Sequence, residues 1–239
     1  MQLRKVNLDN ILFLDIETVP LHYTFGELDE ETAKLYLDKN RSLQERDGLT
    51  DEEVYQRAGI FAEFGKIVCI SCGFVTRTTD GRTIRIKSFA NDDEEILLKE
   101  FAELLNNHYL PPTGILCGHN AKEFDFPFIA RRMLINQLDL PQVLDIAGKK
   151  PWEIAHLDTM ELWKFGDFKH YTSLSLLCHI FGIPTPKDDI SGADVARVYY
   201  EENNLDRIVE YCQKDVVALI QLFLKFRNES LIPDENIKL

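Results

Sequence analysis

The stretch NILFLDIET, residues 10–18, starts as a short apolar run and ends in acidic side chains. A short apolar run of this kind is typical of a buried β-strand. Asp15 and Glu17 are two residues apart, and on a strand such side chains lie on the same face, about 7 Å from each other. Both carboxylates could therefore reach one cation. Taken alone, however, the pair is more typical of a strand that simply ends in solvated acids than of a cation site.

Predicted strands and helices follow one another on the carboxyl side of this strand. Residues 25–63 are charged and helical in pattern, and we interpret them as a polar insertion. The β-rich runs 66–76 and 82–89 are joined by TTDG, an Asp-Gly hairpin signal that predicts an antiparallel pair. Further short strands are predicted at 114–118 and 156–158, and helices at 92–108, 123–138, 174–181, 192–202 and 205–226. This order predicts a mixed α/β sheet with helices on its faces.

The composition favours one globular domain over residues 1–239, with 45% hydrophobic residues to form a core. The 27 basic and 40 acidic residues give a net charge of −13, which disfavours nonspecific binding to long nucleic-acid duplexes or anionic membranes. The sequence shows neither a signal peptide nor the roughly 20 apolar residues of a membrane helix. We therefore expect a soluble, cytoplasmic protein without a membrane partner.

The five cysteines all lie in apolar runs and are predicted to belong to the core; they are Cys69, Cys72, Cys117, Cys178 and Cys212. Cys69 and Cys72 have the spacing of half a zinc site. However, residues three apart on a strand point to opposite faces, so these two thiols should not share an ion.

A second acidic position lies in HNAKEFD, residues 119–125. The polar residues His119 and Asn120 follow a predicted strand, and Asp125 starts an apolar helix between two phenylalanines. An acid at a helix start is often only a partner of the helix dipole.

The third acidic position lies in YCQKD, residues 211–215, within the last long predicted helix. Tyr211 and Asp215 are four residues apart, which on a helix is a rise of about 6 Å along one face. Most of the remaining helix is apolar, so Asp215 lies at the margin of a buried surface. A carboxylate there needs a cation or hydrogen-bond donors. The alternative is that Tyr211 and Asp215 lie on an exposed, polar face of this helix.

Together, the runs FLDIET, HNAKEFD and YCQKD resemble the Exo I (DxE), Exo II (NxxxFD) and Exo III (YxxxD) motifs of DEDDy-type 3′–5′ exonucleases. The resemblance is closest to the proofreading exonuclease domains of family B DNA polymerases and spans residues 11–226. The sister DEDDh group has His five residues before its last Asp, where this chain has Glu210. The resemblance implies a ribonuclease H-like mixed sheet whose second strand is antiparallel, in a stand-alone exonuclease domain covering 1–239. The helical insertion, at about 25–63, departs from the simplest members.

The resemblance also implies a catalytic set, which consists of Asp15, Glu17, Asp125, Tyr211 and Asp215. Two divalent ions, Mg²⁺ or Mn²⁺, are expected, because hard carboxylate oxygens suit them and two such ions stabilise the attacking and leaving oxygens of a phosphodiester. Asp15, Glu17 and Asp215 would hold the first ion, Asp15 would bridge to the second, and Asp125 would support the second largely through water. Tyr211 would orient the attacking water.

Substrate contacts are expected from two further groups of residues. By resemblance, the first group is Ile16, Thr18, Asn120 and Phe124, although a core role for Phe124 is at least as well supported. The second group lies in the loop FGDFKHYTSL and consists of Lys169, His170 and Tyr171, where cations and rings could hold phosphate and stack on a base. An ordinary surface loop is an equal alternative.

The sequence therefore predicts a metal-dependent 3′–5′ exonuclease acting on the 3′ end of single-stranded nucleic acid, with DNA favoured over RNA. An RNA-trimming exoribonuclease and a catalytically silent nucleic-acid-binding scaffold remain alternatives, and protein partners are not indicated. A glycosidase with paired carboxylates would explain neither the third acid nor the tyrosine. The negative charge is concentrated in 26–63 and 92–103, which carry no motif, so it does not exclude nucleic acid.

Overall fold

The computed structural model describes residues 3–78, 81–167, 171–184 and 189–239. A mixed sheet in the order β5-β4-β1-β2-β3-β6 forms its centre. Its strands are β1 (Ile11–Pro20), β2 (Gly65–Thr78), β3 (Gly81–Ala90), β4 (Ile115–Gly118), β5 (Leu157–Asp158) and β6 (Ile237–Lys238). β1 pairs antiparallel with β2 and parallel with β4, and β2 pairs antiparallel with β3. The predicted mixed sheet with an antiparallel second strand is confirmed.

Eight α-helices occur in the described parts of the chain: α1 (Glu30–Asp47), α2 (Asp51–Tyr55), α3 (Glu94–His108), α4 (Asp125–Ile135), α5 (Thr159–Lys164), α6 (Leu174–Phe181), α7 (Val195–Tyr200) and α8 (Leu205–Phe226). The predictions for α6 and α8 match to the residue, whereas α4 and α7 are shorter than the patterns indicated. β6 was not predicted, because two residues are too few to show a strand period.

β1 is apolar on both faces because helices cover both sides of the sheet. Leu12 and Leu14 pack in the cluster that contains α3 and α4 residues. Ile11 and Phe13 pack against α8, with the rings of Phe13 and Phe223 5.3 Å apart. Since side chains alternate along a strand, the odd-numbered positions of β1 lie on the α8 face.

The insertion between β1 and β2 is helical, as predicted, and has a small core of its own. Tyr36, Val54, Tyr55 and Ala58 are its buried members. The Tyr36 hydroxyl donates to the Val54 carbonyl at 2.7 Å, and the Tyr36 and Tyr55 rings pack edge to face. Thr50 caps α2 through a capping box. α1 and α2 are therefore packed together as one unit.

All five cysteines are buried, which confirms their assignment to the core. Cys72 packs in the cluster with α3, whereas Cys69 packs in the cluster with Cys212 of α8. The two thiols therefore lie on opposite faces of the sheet, as the strand period predicted. Within the described ranges, no helix combines the length and the apolar character needed to cross a membrane.

Candidate active site

β1 places the first two acids on the face that α8 covers. Asp15 and Glu17 continue the row formed by Ile11 and Phe13. Asp15 is half-buried, and the Glu17 side chain is only 7% exposed. The pairing register with β2 shifts immediately after Glu17, which marks an irregularity in the ladder. Both acids therefore sit on the central strand, which is fixed by neighbours on each side.

α8 places Tyr211, Cys212 and Asp215 beside these acids. The Tyr211 hydroxyl is hydrogen-bonded to the Asp215 carboxylate. The Cys212 Sγ lies 3.4 Å from the carbonyl oxygen of Asp15 and 3.6 Å from its Oδ2. These contacts bring the Exo III motif directly against the Exo I motif.

Asp125 reaches the same place from the other face of the sheet. It is the first residue of α4 and is 4% exposed. The backbone N–H of Ile16, which lies between the two acids of β1, is close enough to the Asp125 carboxylate to lower its pKa. The structure thus brings the Exo II acid into contact with the Exo I strand.

The acids raise one another's pKa, which shows that they share one site. Burial raises the pKa of Asp15 well above its usual value, and the charges of Asp125, Glu17 and Asp215 raise it further. Burial raises the pKa of Glu17, and the charge of Asp215 raises it further. Burial also raises the pKa of Asp125 to about 7. Desolvation and like charge both disfavour the ionised forms here.

The donor set fits divalent cations. Among the described residues, no Lys or Arg forms a salt bridge with Asp15, Glu17 or Asp125. One ligand atom from each of Asp15, Glu17 and Cys212 lies within 4.8 Å of the other two. Buried carboxylates without a basic partner are stabilised by a bound cation. The proximity of Cys212 was missed from sequence, because its position after Tyr211 does not reveal which face of α8 meets β1.

Of the expected substrate residues, Ile16 and Thr18 flank Glu17 on β1, and Asn120 follows β4. The Thr18 hydroxyl donates to the Gly59 carbonyl of the insertion at 2.8 Å. Asn120 has a left-handed backbone (φ 65°), and its N–H donates to Asp158 Oδ1 at 3.0 Å. The Asn120 side-chain oxygen is buried without a hydrogen-bond partner in the part of the chain that the structure describes. Such an acceptor is costly unless a ligand or water satisfies it.

Phe124 packs against the core and also lines a cavity. Its ring contacts that of Phe128, with centroids 5.4 Å apart, and it packs against the core cluster of α3 and α4. It also lines a cavity of about 360 Å³ together with Ile16 and Glu17. Residues of the insertion also line this cavity, a role that the sequence did not predict.

Tyr171 lies beside the Exo II motif. Its side chain is 71% exposed, and its hydroxyl donates to Glu123 Oε2 at 3.0 Å. The other two residues proposed for this loop, Lys169 and His170, lie outside the described residues.

Comparisons with known proteins bear on the family and the fold of this chain. Residues 60–232 match the family described as "Predicted 3'-5' exonuclease related to the exonuclease domain of PolB". That range contains Asp125, Tyr211 and Asp215 but begins after Asp15 and Glu17. No curated protein matches the chain.

Two solved structures are similar to this chain. The family B DNA polymerase from the hyperthermophilic archaeon Pyrobaculum calidifontis has a TM-score of 0.53 at 14% identity, over 90% of this chain and 24% of that chain. The RNase domain of the yeast Pop2 protein has a TM-score of 0.45 at 11% identity, over 99% of this chain and 84% of that chain. This chain therefore spans about a quarter of the polymerase's length, and the likeness to it supports the ribonuclease H-like fold.

Proposed function

The chain belongs to the family of predicted 3′–5′ exonucleases related to the exonuclease domain of PolB, and we propose that it shortens single-stranded nucleic acid from the 3′ end with two divalent ions. The proposal covers residues 1–239 as one exonuclease domain with the insertion after β1. DNA is favoured over RNA as the substrate, because the matching family is related to a DNA polymerase's exonuclease domain.

The convergence of acids from three separate elements carries this proposal. β1 contributes Asp15 and Glu17, α4 contributes Asp125, and α8 contributes Tyr211 and Asp215. Because burial and mutual repulsion raise the pKa values of Asp15 and Glu17, the cluster is unfavourable without a cation. A fold maintained only for packing has no need of such a cluster.

The proposed roles follow from these positions. Asp15, Glu17 and Asp215 would hold one ion, and Asp15 with Asp125 would hold the other. When bound, two Mg²⁺ or Mn²⁺ ions stabilise negative charge on the attacking and leaving oxygens of the phosphodiester. Burial and the nearby Asp215 raise the pKa of Tyr211, so its hydroxyl stays protonated at neutral pH. Tyr211 therefore acts as a hydrogen-bonding group that orients water, not as a base.

The residues proposed to contact the substrate strand are Ile16, Thr18, Asn120, Phe124, Lys169, His170 and Tyr171. Asn120 is supported by its buried, unpartnered side-chain oxygen. Phe124 is supported by its position in the cavity beside Glu17. An exposed ring such as that of Tyr171 offers a surface on which a base can stack.

The direct test uses single-stranded DNA and RNA of matched sequence, each labelled at either end, with Mg²⁺ or Mn²⁺. We expect 5′-labelled DNA to shorten stepwise, and the 3′ label to be released at once as a mononucleotide. Asp15→Asn and Asp215→Asn should abolish this activity while the folded protein is retained. Full activity in either variant would contradict the proposed site.

A thermal titration with Mn²⁺ tests the scaffold alternative. The wild type should unfold at a higher temperature when Mn²⁺ is added, whereas Asp15→Asn should respond far less, because a cation that binds only the folded state stabilises it. A wild type that neither responds to Mn²⁺ nor cleaves either polymer would favour a catalytically silent scaffold. Preferential degradation of RNA would favour the exoribonuclease instead.

A further inference from the structure

The cavity beside Glu17 has one wall that belongs to the insertion. Glu17 and Thr18 line it on the β1 side, and Phe124 lines it from the start of α4. Gln56 and Arg57, which follow α2, line it on the insertion side. The volume of about 360 Å³ lies within the range of small-ligand sites.

The insertion is held firmly at this wall. Thr18 donates its hydroxyl hydrogen bond to the Gly59 carbonyl, two residues beyond Arg57. The backbones pack so closely that a Cβ added at Gly65 would lie 2.8 Å from the Gly59 oxygen. Arg132 of α4 also donates to the Ala62 carbonyl at 2.9 Å. The segment that directly follows Arg57 is therefore fixed relative to β1 and α4.

Arg57 and Lys34 are the basic residues of the insertion that form no salt bridge with a described residue, and of these two only Arg57 lines the cavity. Three others are paired locally, in the salt bridges Lys39–Glu63, Arg41–Asp38 and Arg46–Asp47. Arg57 is exposed, forms no salt bridge with any described residue, and is the only basic residue among the described residues that line the cavity. An unpaired guanidinium beside a phosphodiester-cleaving site suits a phosphate, which it can bind through two parallel hydrogen bonds.

We infer that Arg57 binds a phosphate of the substrate strand, and that the insertion forms the second wall of the substrate groove. This inference rests on the proposed exonuclease function. It gives the insertion a role in substrate binding that is separate from the proposed metal binding by the acids. The bound strand would lie between Phe124 on one side and Arg57 on the other. Arg57 contributes to substrate binding and takes no part in the chemical step.

Steady-state kinetics on single-stranded DNA at several salt concentrations provides the test. Arg57→Gln should lower kcat/KM about tenfold, mainly through KM, because one charge-assisted phosphate contact is lost. The slope of log(kcat/KM) against log salt should become shallower by about 0.7, the value for one phosphate contact on a single strand. Arg57→Lys keeps the charge but loses the second hydrogen bond, so its KM should lie between that of the wild type and that of Arg57→Gln.

Lys34→Gln is the matched control, because Lys34 is an exposed basic residue of α1 that does not line the cavity and forms no salt bridge with a described residue. It should keep the KM and the salt slope of the wild type. An active wild type whose KM is unchanged in both Arg57 variants would overturn this inference alone. A wild type without nuclease activity would overturn the proposed function and this inference with it.

Discussion

Arg132 of α4 and Glu94 of α3 form a buried ion pair, with Nη2 and Oε2 2.5 Å apart and both side chains 6% exposed. Glu94 also accepts the backbone N–H of Ile67 in β2 at 2.7 Å. Arg132 also donates to Ala62, at the end of the insertion. The pair therefore joins two helices, a strand and the insertion, and it fixes the helix that begins with Asp125.

Glu94→Gln should destabilise the protein strongly. The substitution leaves the Arg132 charge buried without its partner, a change that typically costs about 3–5 kcal/mol. Urea unfolding should report this loss of free energy. Glu100→Gln, an exposed change on the same helix, should stay within about 0.5 kcal/mol of the wild type. Equal stabilities for the two variants would mean that the ion pair does not hold α3 and α4 together.

The stability of the metal-free protein should fall as the pH rises from about 4 to about 7. Burial raises the pKa of Asp125 to about 7, whereas an unfolded Asp titrates near 3.9. The folded state therefore binds more protons than the unfolded state in this window, and stability decreases with pH. Asp125→Asn should make the decrease shallower, and saturating Mg²⁺ should weaken it too.

Thermal unfolding in EDTA at a series of pH values checks this prediction. Asp145→Asn makes the same change at an exposed position and serves as the control. If the unfolding temperatures of the wild type and Asp125→Asn changed in parallel with pH, the pKa of Asp125 would not be raised in the folded protein.

Tyr211→Phe should reduce turnover while leaving metal binding intact. The hydroxyl is hydrogen-bonded to Asp215, and its removal takes away the group that orients water but none of the carboxylates. A loss of up to about 100-fold in kcat is expected when a group that positions a reactant is removed, with the Mn²⁺-induced thermal shift retained. Tyr109→Phe, which changes a buried tyrosine in the cluster of α3, should keep full turnover. Unchanged kcat in Tyr211→Phe would exclude the water-orienting role.

Asp158 should prove important for the position of the Exo II segment. Its carboxylate accepts backbone N–H groups from Asn120 and Lys122, and also from Met160 and Glu161 at the start of α5. Asp158→Ala leaves these donors without their acceptor and removes a helix cap, which should cost about 2 kcal/mol or more. Asp158→Asn keeps one side-chain oxygen, so its free energy of unfolding should lie between those of the wild type and Asp158→Ala. Chemical unfolding measures the cost, and identical stability of all three proteins would contradict it.

The sequence predicted those parts of the site that depend on local periodicity. Asp15 and Glu17 share a face because a strand repeats every two residues. Tyr211 and Asp215 share a face because a helix repeats every 3.6 residues. Their order and local context were enough to indicate the family, and the fold followed from it.

The remaining features depend on long-range packing, which no local pattern records. The contact of Cys212 with Asp15 requires one particular rotation of α8 against β1. The hydrogen bond between Thr18 and Gly59 requires the insertion to fold back on the strand that precedes it. The cavity beside Glu17 depends on this second condition because residues of the insertion line it, so it could be found only in the assembled structure.

The contact of Cys212 with Asp15 spans 197 residues of chain. During synthesis the amino-terminal part of a protein emerges first, so β1 is exposed long before α8 is made. A nascent chain would carry Asp15 and Glu17 without Asp215 and could not assemble the proposed site. The proposed site would therefore stay incomplete during synthesis until α8 has been made and has packed against β1.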